Sequence, residues 1–197
     1  MAACVDLNPE AMPETQAQYK ARILRHVAGR EPLPLLAAAP ATLAALLAAV
    51  PPALCARRPA PGKWSIQEIV AHLADDELVG AYRIRLILAA PGTAIQAFDQ
   101  DRWAETGRYA ATDPWRALAL FRALREANLA LWHRLSPAEW ERAGVHAERG
   151  VESIRGIATY YAGHDLNHFA QIEAILASAG TAPSGAVTAG QSSRRTI

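Results

Sequence analysis

The chain is poor in sulfur and nearly neutral. Its two cysteines, Cys4 and Cys55, are far apart and sit in no CxxC or Cys/His spacing. A disulfide framework or a thiolate metal site is therefore not expected, and free thiols in a reducing cytoplasm are. Twenty basic against nineteen acidic side chains leave a formal charge of +1, with the signs interspersed. Without a basic stripe or helix, neither nucleic acid nor an anionic membrane surface is an expected partner. Long apolar runs are missing as well. Residues 32–56 carry no charge, yet Pro32, Pro34, Pro40, Pro51 and Pro52 interrupt them. The longest proline-free piece, Ala41 to Val50, falls short of the ~20 residues that cross a bilayer. It also follows Arg22, Arg25 and Arg30, which is the wrong place for a secretory signal. Strands and internal repeats are not evident, so the expectation is a soluble, cytoplasmic, all-α protein.

What the chain does have is helical periodicity. Its 197 residues suit one domain of about 100–200 residues. Residues 1–13 read as a flexible arm, 14–180 as a single helical domain and 181–197 as a disordered tail. Within the domain, Tyr19, Ile23 and Val27 fall four apart in a short amphipathic helix. Leu43, Leu46, Leu47 and Val50 mark the first long core helix, stopped by Pro51-Pro52. Ser65 with Glu68 forms a capping box, and the helix it opens carries Ile66, Ile69, Leu73, Gly80, Ile84 and Ile87 on one stripe. Asp113-Pro114 starts a third helix with Leu118, Phe121, Leu124, Asn128, Leu131 and Leu135. Ser136-Pro137 with Glu139 starts a short one. Ser153 caps the last, whose face holds Ile154, Ile157, Tyr161, His164, His168, Ile172 and Ile175 before the stop at Gly180. Two stretches read as connections: residues 91–112, with Trp103 as a lid over the bundle mouth, and residues 143–152, of no assignable shape. The result is a four-helix bundle with extra short helices and mobile termini.

The chemistry concentrates in Gly163-His164-Asp165-Leu166-Asn167-His168. Histidines four apart project from one helix face and can reach one ion. His72, on the second long helix, is the plausible third ligand, because facing helices of a bundle place such groups together in the core. Three neutral imidazoles leave an ion's full charge available to acidify a bound water. The competing reading is three histidines hydrogen-bonded within the core. A protease of the HExxH type is not expected, since Asp165 stands where that motif needs Glu. Asp76, four residues after His72, is the candidate catalytic acid or base, or the carboxylate that orients a ligating imidazole, with Glu77 beside it. His26, His133 and His146 read as surface or loop residues. The five tryptophans, Trp64, Trp103, Trp115, Trp132 and Trp140, read as core or cap residues first and pocket walls second.

The run Gly62-Lys63-Trp64-Ser65-Ile66-Gln67-Glu68-Ile69-Val70-Ala71-His72-Leu73-Ala74-Asp75-Asp76-Glu77, then Phe98 to Ala104, then His164 to His168, resembles the DinB/YfiT-like superfamily of metal-dependent enzymes. The resemblance covers roughly residues 33–179. It implies an up-down-down-up four-helix bundle, often a homodimer, with a zinc- or nickel-type ion on His72, His164 and His168. It also implies either a hydrolase or a thiol-dependent transferase or isomerase whose ion holds a low-molecular-weight thiol. No further residue points to a particular thiol. The alternative is a non-catalytic bundle with a structural or vestigial metal site.

Overall fold

The computed structural model describes residues 14–180; the terminal segments read above as a mobile arm and a disordered tail lie outside them. Four long helices form the bundle: α2 (Pro32–Ala48), α4 (Ile66–Ala89), α6 (Pro114–Trp132) and α8 (Ile154–Ser178). Around it lie α1 (Gln16–Arg25), α3 (Pro52–Cys55), α5 (Gln100–Thr106), a 3-10 turn at Tyr109–Ala111 and α7 (Pro137–Trp140). None of the described helices is long and apolar enough to cross a membrane.

The starts are where side-chain chemistry puts them. Ser65 accepts from the Glu68 amide while the Glu68 carboxylate accepts from Ser65 N, closing the box at the head of α4. Asp113 caps α6 and Ser153 caps α8 by accepting first-turn amides, without the reciprocal half of the box. α2 differs from expectation: it starts at Pro32 and runs through Pro40 rather than beginning after it. Pro32 and Pro34 sit in the first turn, where amides have no helical partner to lose. Pro40 leaves the Leu36 carbonyl without its i+4 donor, and the buried Arg125 guanidinium fills that place with an N–H 3.1 Å away.

Around the bundle the packing order is α2–α6–α4–α8, so α2 faces α4, and α6 faces α8, only across the diagonal. Residues meet in rising order along α4 and α6, Glu77 with Arg125 and Arg85 with Asn128, so these two run parallel. Along α4 and α8 the order reverses, His72 with His164 and Gly80 with Tyr161. The apolar ends of α2 match: Leu36 packs with Ile84 and Ile157, whereas Leu43 and Leu47 pack with Ile69 and Leu176. The topology is therefore up-down-down-up, and the parallel α4–α6 step needs the long excursion of residues 90–113.

That excursion and residues 143–153 contain strand structure that the sequence reading missed. β1 (Ala94–Ile95) pairs in parallel with β2 (Ala143–His146), which pairs antiparallel with β3 (Gly150–Ser153). Strands of two and four residues with Gly144 and Gly150 carry no usable apolar alternation. Gly144 is required by space: a Cβ there would lie 2.7 Å from Ile95 Cδ1. α1 closes on α8 by the same device, since a Cβ on Gly163 would lie 2.3 Å from the Ile23 carbonyl oxygen.

Two apolar clusters fill the bundle, one around Leu43, Ile69, Phe121 and Ile172, the other around Leu36, Ile84, Trp132 and Ile157. Between them runs a belt of buried polar side chains from α4, α6 and α8.

Candidate metal centre

One side of the belt is the histidine cluster. His72 from α4 and His164 and His168 from α8 are all nearly inaccessible. His164 Nε2 lies 3.2 Å from His72 Nε2 and 3.1 Å from His168 Nε2. One nitrogen from each ring falls within 4.8 Å of the others. Burial, followed by the neighbouring imidazoles, holds His72 and His164 well below the ordinary histidine range. Burial also takes His168 down to about 4, against the raising effect of the hydrogen bond its ring donates to Gln171 Oε1. All three rings are neutral at physiological pH, with lone pairs to give.

Neutral imidazole carries one N–H, so His164 Nε2 cannot serve both neighbouring nitrogens as a donor. One ion accepting three lone pairs at 2.0–2.1 Å would satisfy them together, and tetrahedral ligands then sit about 3.3 Å apart. Both spacings from His164 Nε2 are close to that, and the three ligand atoms stay within 4.8 Å of one another, so the residues fit a divalent ion. The outer ring atoms are held unequally. His168 Nδ1 meets Gln171 Oε1 at 2.8 Å. His164 Nδ1 stands 3.4 Å from Asp76 Oδ2, in ion-pair range but not aligned as a hydrogen bond. His72 Nδ1 has no partner among the described residues. Asp76 thus lies beside His164, although its place in the chain suggested His72. Burial pushes Asp76 up to about 7, with Arg83 pulling it back.

Trp64, partly exposed, covers one side of the cluster, its ring 4.7 Å from that of His72 and stacked 6.4 Å from that of His168. The opposite side opens. His164 and Asp76 lie on a cleft of about 400 Å³ walled by α1, residues 97–100 and the β2–β3 turn. Trp103, 36% exposed, packs on Phe98, which lines that cleft.

The other side of the belt carries a different arrangement. Arg125 of α6 donates to Glu77 Oε2 and to Asp165 Oδ2, each at 2.7 Å, and Asn128 donates to Glu77 Oε1 at 2.7 Å. Asp165 is thereby turned from the histidines, which removes it as a base at the centre. Burial raises Asp165 to about 6 against the pull of Arg125. Sequence reading missed Arg125, although it lies four residues after Phe121 and three before Asn128 on the buried face of α6. It also placed His146 wrongly: His26 is half-buried and His133 exposed, but His146 is 2% exposed, drawn inward by β2.

The class of protein so described is an up-down-down-up helical bundle whose core carries three imidazoles that fit one metal ion. The profile of the DinB superfamily matches residues 35–172, and the chain belongs to that superfamily. A protein of Oceanobacillus iheyensis is 31% identical over 114 residues, 58% of this chain and 66% of its own length. A Bacillus licheniformis protein is 32% identical over 114 residues, 57% of this chain and 65% of its own. Both are named "Putative metal-dependent hydrolase". The chain spans just under two thirds of the length of these curated relatives. The structure of Bacillus subtilis YfiT, described as an unusual four-helix bundle topology, superposes with a TM-score of 0.71 at 23% identity. That match covers 87% of this chain and 91% of YfiT and bears on the fold.

Proposed function

We propose that the chain is a metal-dependent hydrolase in which His72, His164 and His168 hold one divalent transition ion of the zinc or nickel type. The observation that carries this is the convergence of three neutral, buried Nε2 atoms, one of them on His164, whose ring borders an open cleft. Bound there, such an ion would supply a Lewis acid that lowers the pKa of a coordinated water or thiol. The chain's own groups set its surroundings. Gln171 holds the His168 ring, Asp76 faces the His164 ring, and Trp64 covers the His72 and His168 rings. Asp76, with a pKa near 7 and a place on the cleft, is the group able to take a proton there at neutral pH. A second copy of the chain and, as an alternative to hydrolysis, transfer from a small thiol belong to the same proposal through the superfamily resemblance.

Metal analysis of untagged protein tests it. Expected is one zinc or nickel per chain, lost in His72→Gln and His164→Gln, and metal-dependent cleavage of a simple ester or amide. No transition metal, or metal undiminished by these substitutions, overturns it. Metal without an exchangeable water, with strong destabilisation on chelation, makes the site structural.

A further inference from the structure

The cleft holds a second arrangement that the hydrolase reading leaves unused. β2 sets His146 opposite Ile95 on one side and Gly150 on the other, and turns its ring inward. The turn that follows brings the amides of Glu148 and Arg149 to His146 Nδ1, at 3.1 and 3.3 Å. Nδ1 accepts both, so it carries no hydrogen, and the single hydrogen of the neutral ring is on Nε2. Burial, then Arg149 and Arg83, pushes this histidine down to about 4, so the neutral form persists. His146 Nε2 is buried, yet has no hydrogen-bond partner among the described residues. A buried donor left unpaired is costly, and one on a ring that borders a cleft is explained by a ligand that meets it.

Arg83 of α4 lines the same cleft and is 5% exposed. One N–H goes to the Gln96 carbonyl at 2.9 Å and the guanidinium lies 5.7 Å from the Phe98 ring centre. Among the described residues no carboxylate stands within 4.0 Å of it, whereas Arg149 nearby is held in a two-point pair by Glu152. None of the described acids along the cleft pairs directly with Arg83, although Arg83 is the charged neighbour that most lowers the Asp76 carboxyl. Glu14 is engaged by Arg22, Asp99 caps α5, Glu148 is exposed, and Asp76 lies by His164.

We propose that Arg83 and His146 Nε2–H form a subsite for an oxyanion, a carboxylate or phosphate group carried by the substrate, with the rest of the molecule extending to the His164 edge. A buried cation and a fixed neutral donor at one wall of a cleft are the components of oxyanion recognition. The substrate class is then a small organic acid or phosphate ester. The link to turnover rests on the metal-centre reading; the subsite itself does not.

The test is calorimetric titration of inorganic phosphate and of succinate into the full chain, once chelator-treated and once zinc-loaded. Expected is binding of at least one anion to both forms, the better of the two naming the source. Arg83→Gln and His146→Phe should each weaken it about tenfold or more. His146→Gln, which keeps an N–H donor, should recover part of the loss. In the wild-type chain the His146 Nε2–H proton should shift on addition of the anion, a readout independent of whether any variant folds. No shift and no binding overturns the subsite. Binding only with zinc present, unaffected by either substitution, also overturns it and supports the metal centre. Binding without zinc uptake keeps the subsite and overturns the centre.

Discussion

The two sides of the polar belt are equally buried and use similar residue types, but they differ in how their groups are satisfied. On the α6 side, Arg125 meets Glu77, Asp165 and the Leu36 carbonyl, and only its Nε is left over. On the cleft side, His72 Nδ1, His164 Nδ1 and His146 Nε2 lack partners, and three Nε2 atoms crowd together. Closed networks hold a bundle in register; open ones await something the chain does not contain. Along the belt, the distinction sets the closed Arg125 network apart from the open histidine side.

The largest effect should come from breaking the closed side. Arg125→Met strands two buried carboxylates and the Leu36 carbonyl. A stability loss of about 3–5 kcal/mol is expected, read as a drop in urea midpoint. Metal uptake by whatever fraction remains folded should be normal; a stable Arg125→Met chain unable to take up zinc would mean that the two sides are one unit. Next comes zinc itself. At a hundredfold excess over its dissociation constant it should stabilise the wild-type chain by about 2.7 kcal/mol. His164→Gln should abolish that gain while altering the metal-free melt by about 1 kcal/mol. A metal-free protein damaged by His164→Gln as badly as by Arg125→Met would erase the contrast.

Gly163→Ala probes the wall between core and cleft. The added methyl would meet the Ile23 backbone, so α1 must shift on α8, at a cost of about 1–3 kcal/mol. Thr15 and Tyr19, which line the cleft, move with α1. Hydrogen exchange should show α1 amides opening ahead of α4 and α6; uniform destabilisation would show that α1 is part of the closed core.

The contrast also marks what the chain discloses by itself. Capping pairs such as Ser65 with Glu68 and the four-residue spacing of His164 and His168 are local, so the long helices and the histidine pair were legible. His72 joins them because bundle geometry is regular enough to anticipate. Arg125 is not legible from a stripe defined by apolar residues, although Phe121 and Asn128 flank it at helical spacing. His146 was not legible at all: its burial depends on a parallel pairing with Ile95, some fifty residues away. α2 was cut short because Pro40 reads as a breaker unless a distant arginine replaces its missing donor.

Glu152 gives the smallest and most discriminating effect, because it is a closed pair located on the open side. It binds Arg149 through both oxygens, at 2.8 and 2.9 Å, and Lys20 at 3.2 Å. Burial alone would raise its pKa, but Arg149 and Lys20 outweigh it and hold the carboxyl below its ordinary 4.5. A depressed folded-state pKa means stabilisation that is fully present above the unfolded value and lost as pH falls through the folded one. Glu152→Gln should therefore cost about 1 kcal/mol at pH 7, and the gap in melting temperature should close in the acid range below 4.5. The same substitution frees Arg149 at the cleft wall, so phosphate binding should strengthen as stability falls. Opposite signs in the two measurements are what a pair that shields one cation from the cleft must give; a loss in both would place Glu152 within the binding arrangement itself.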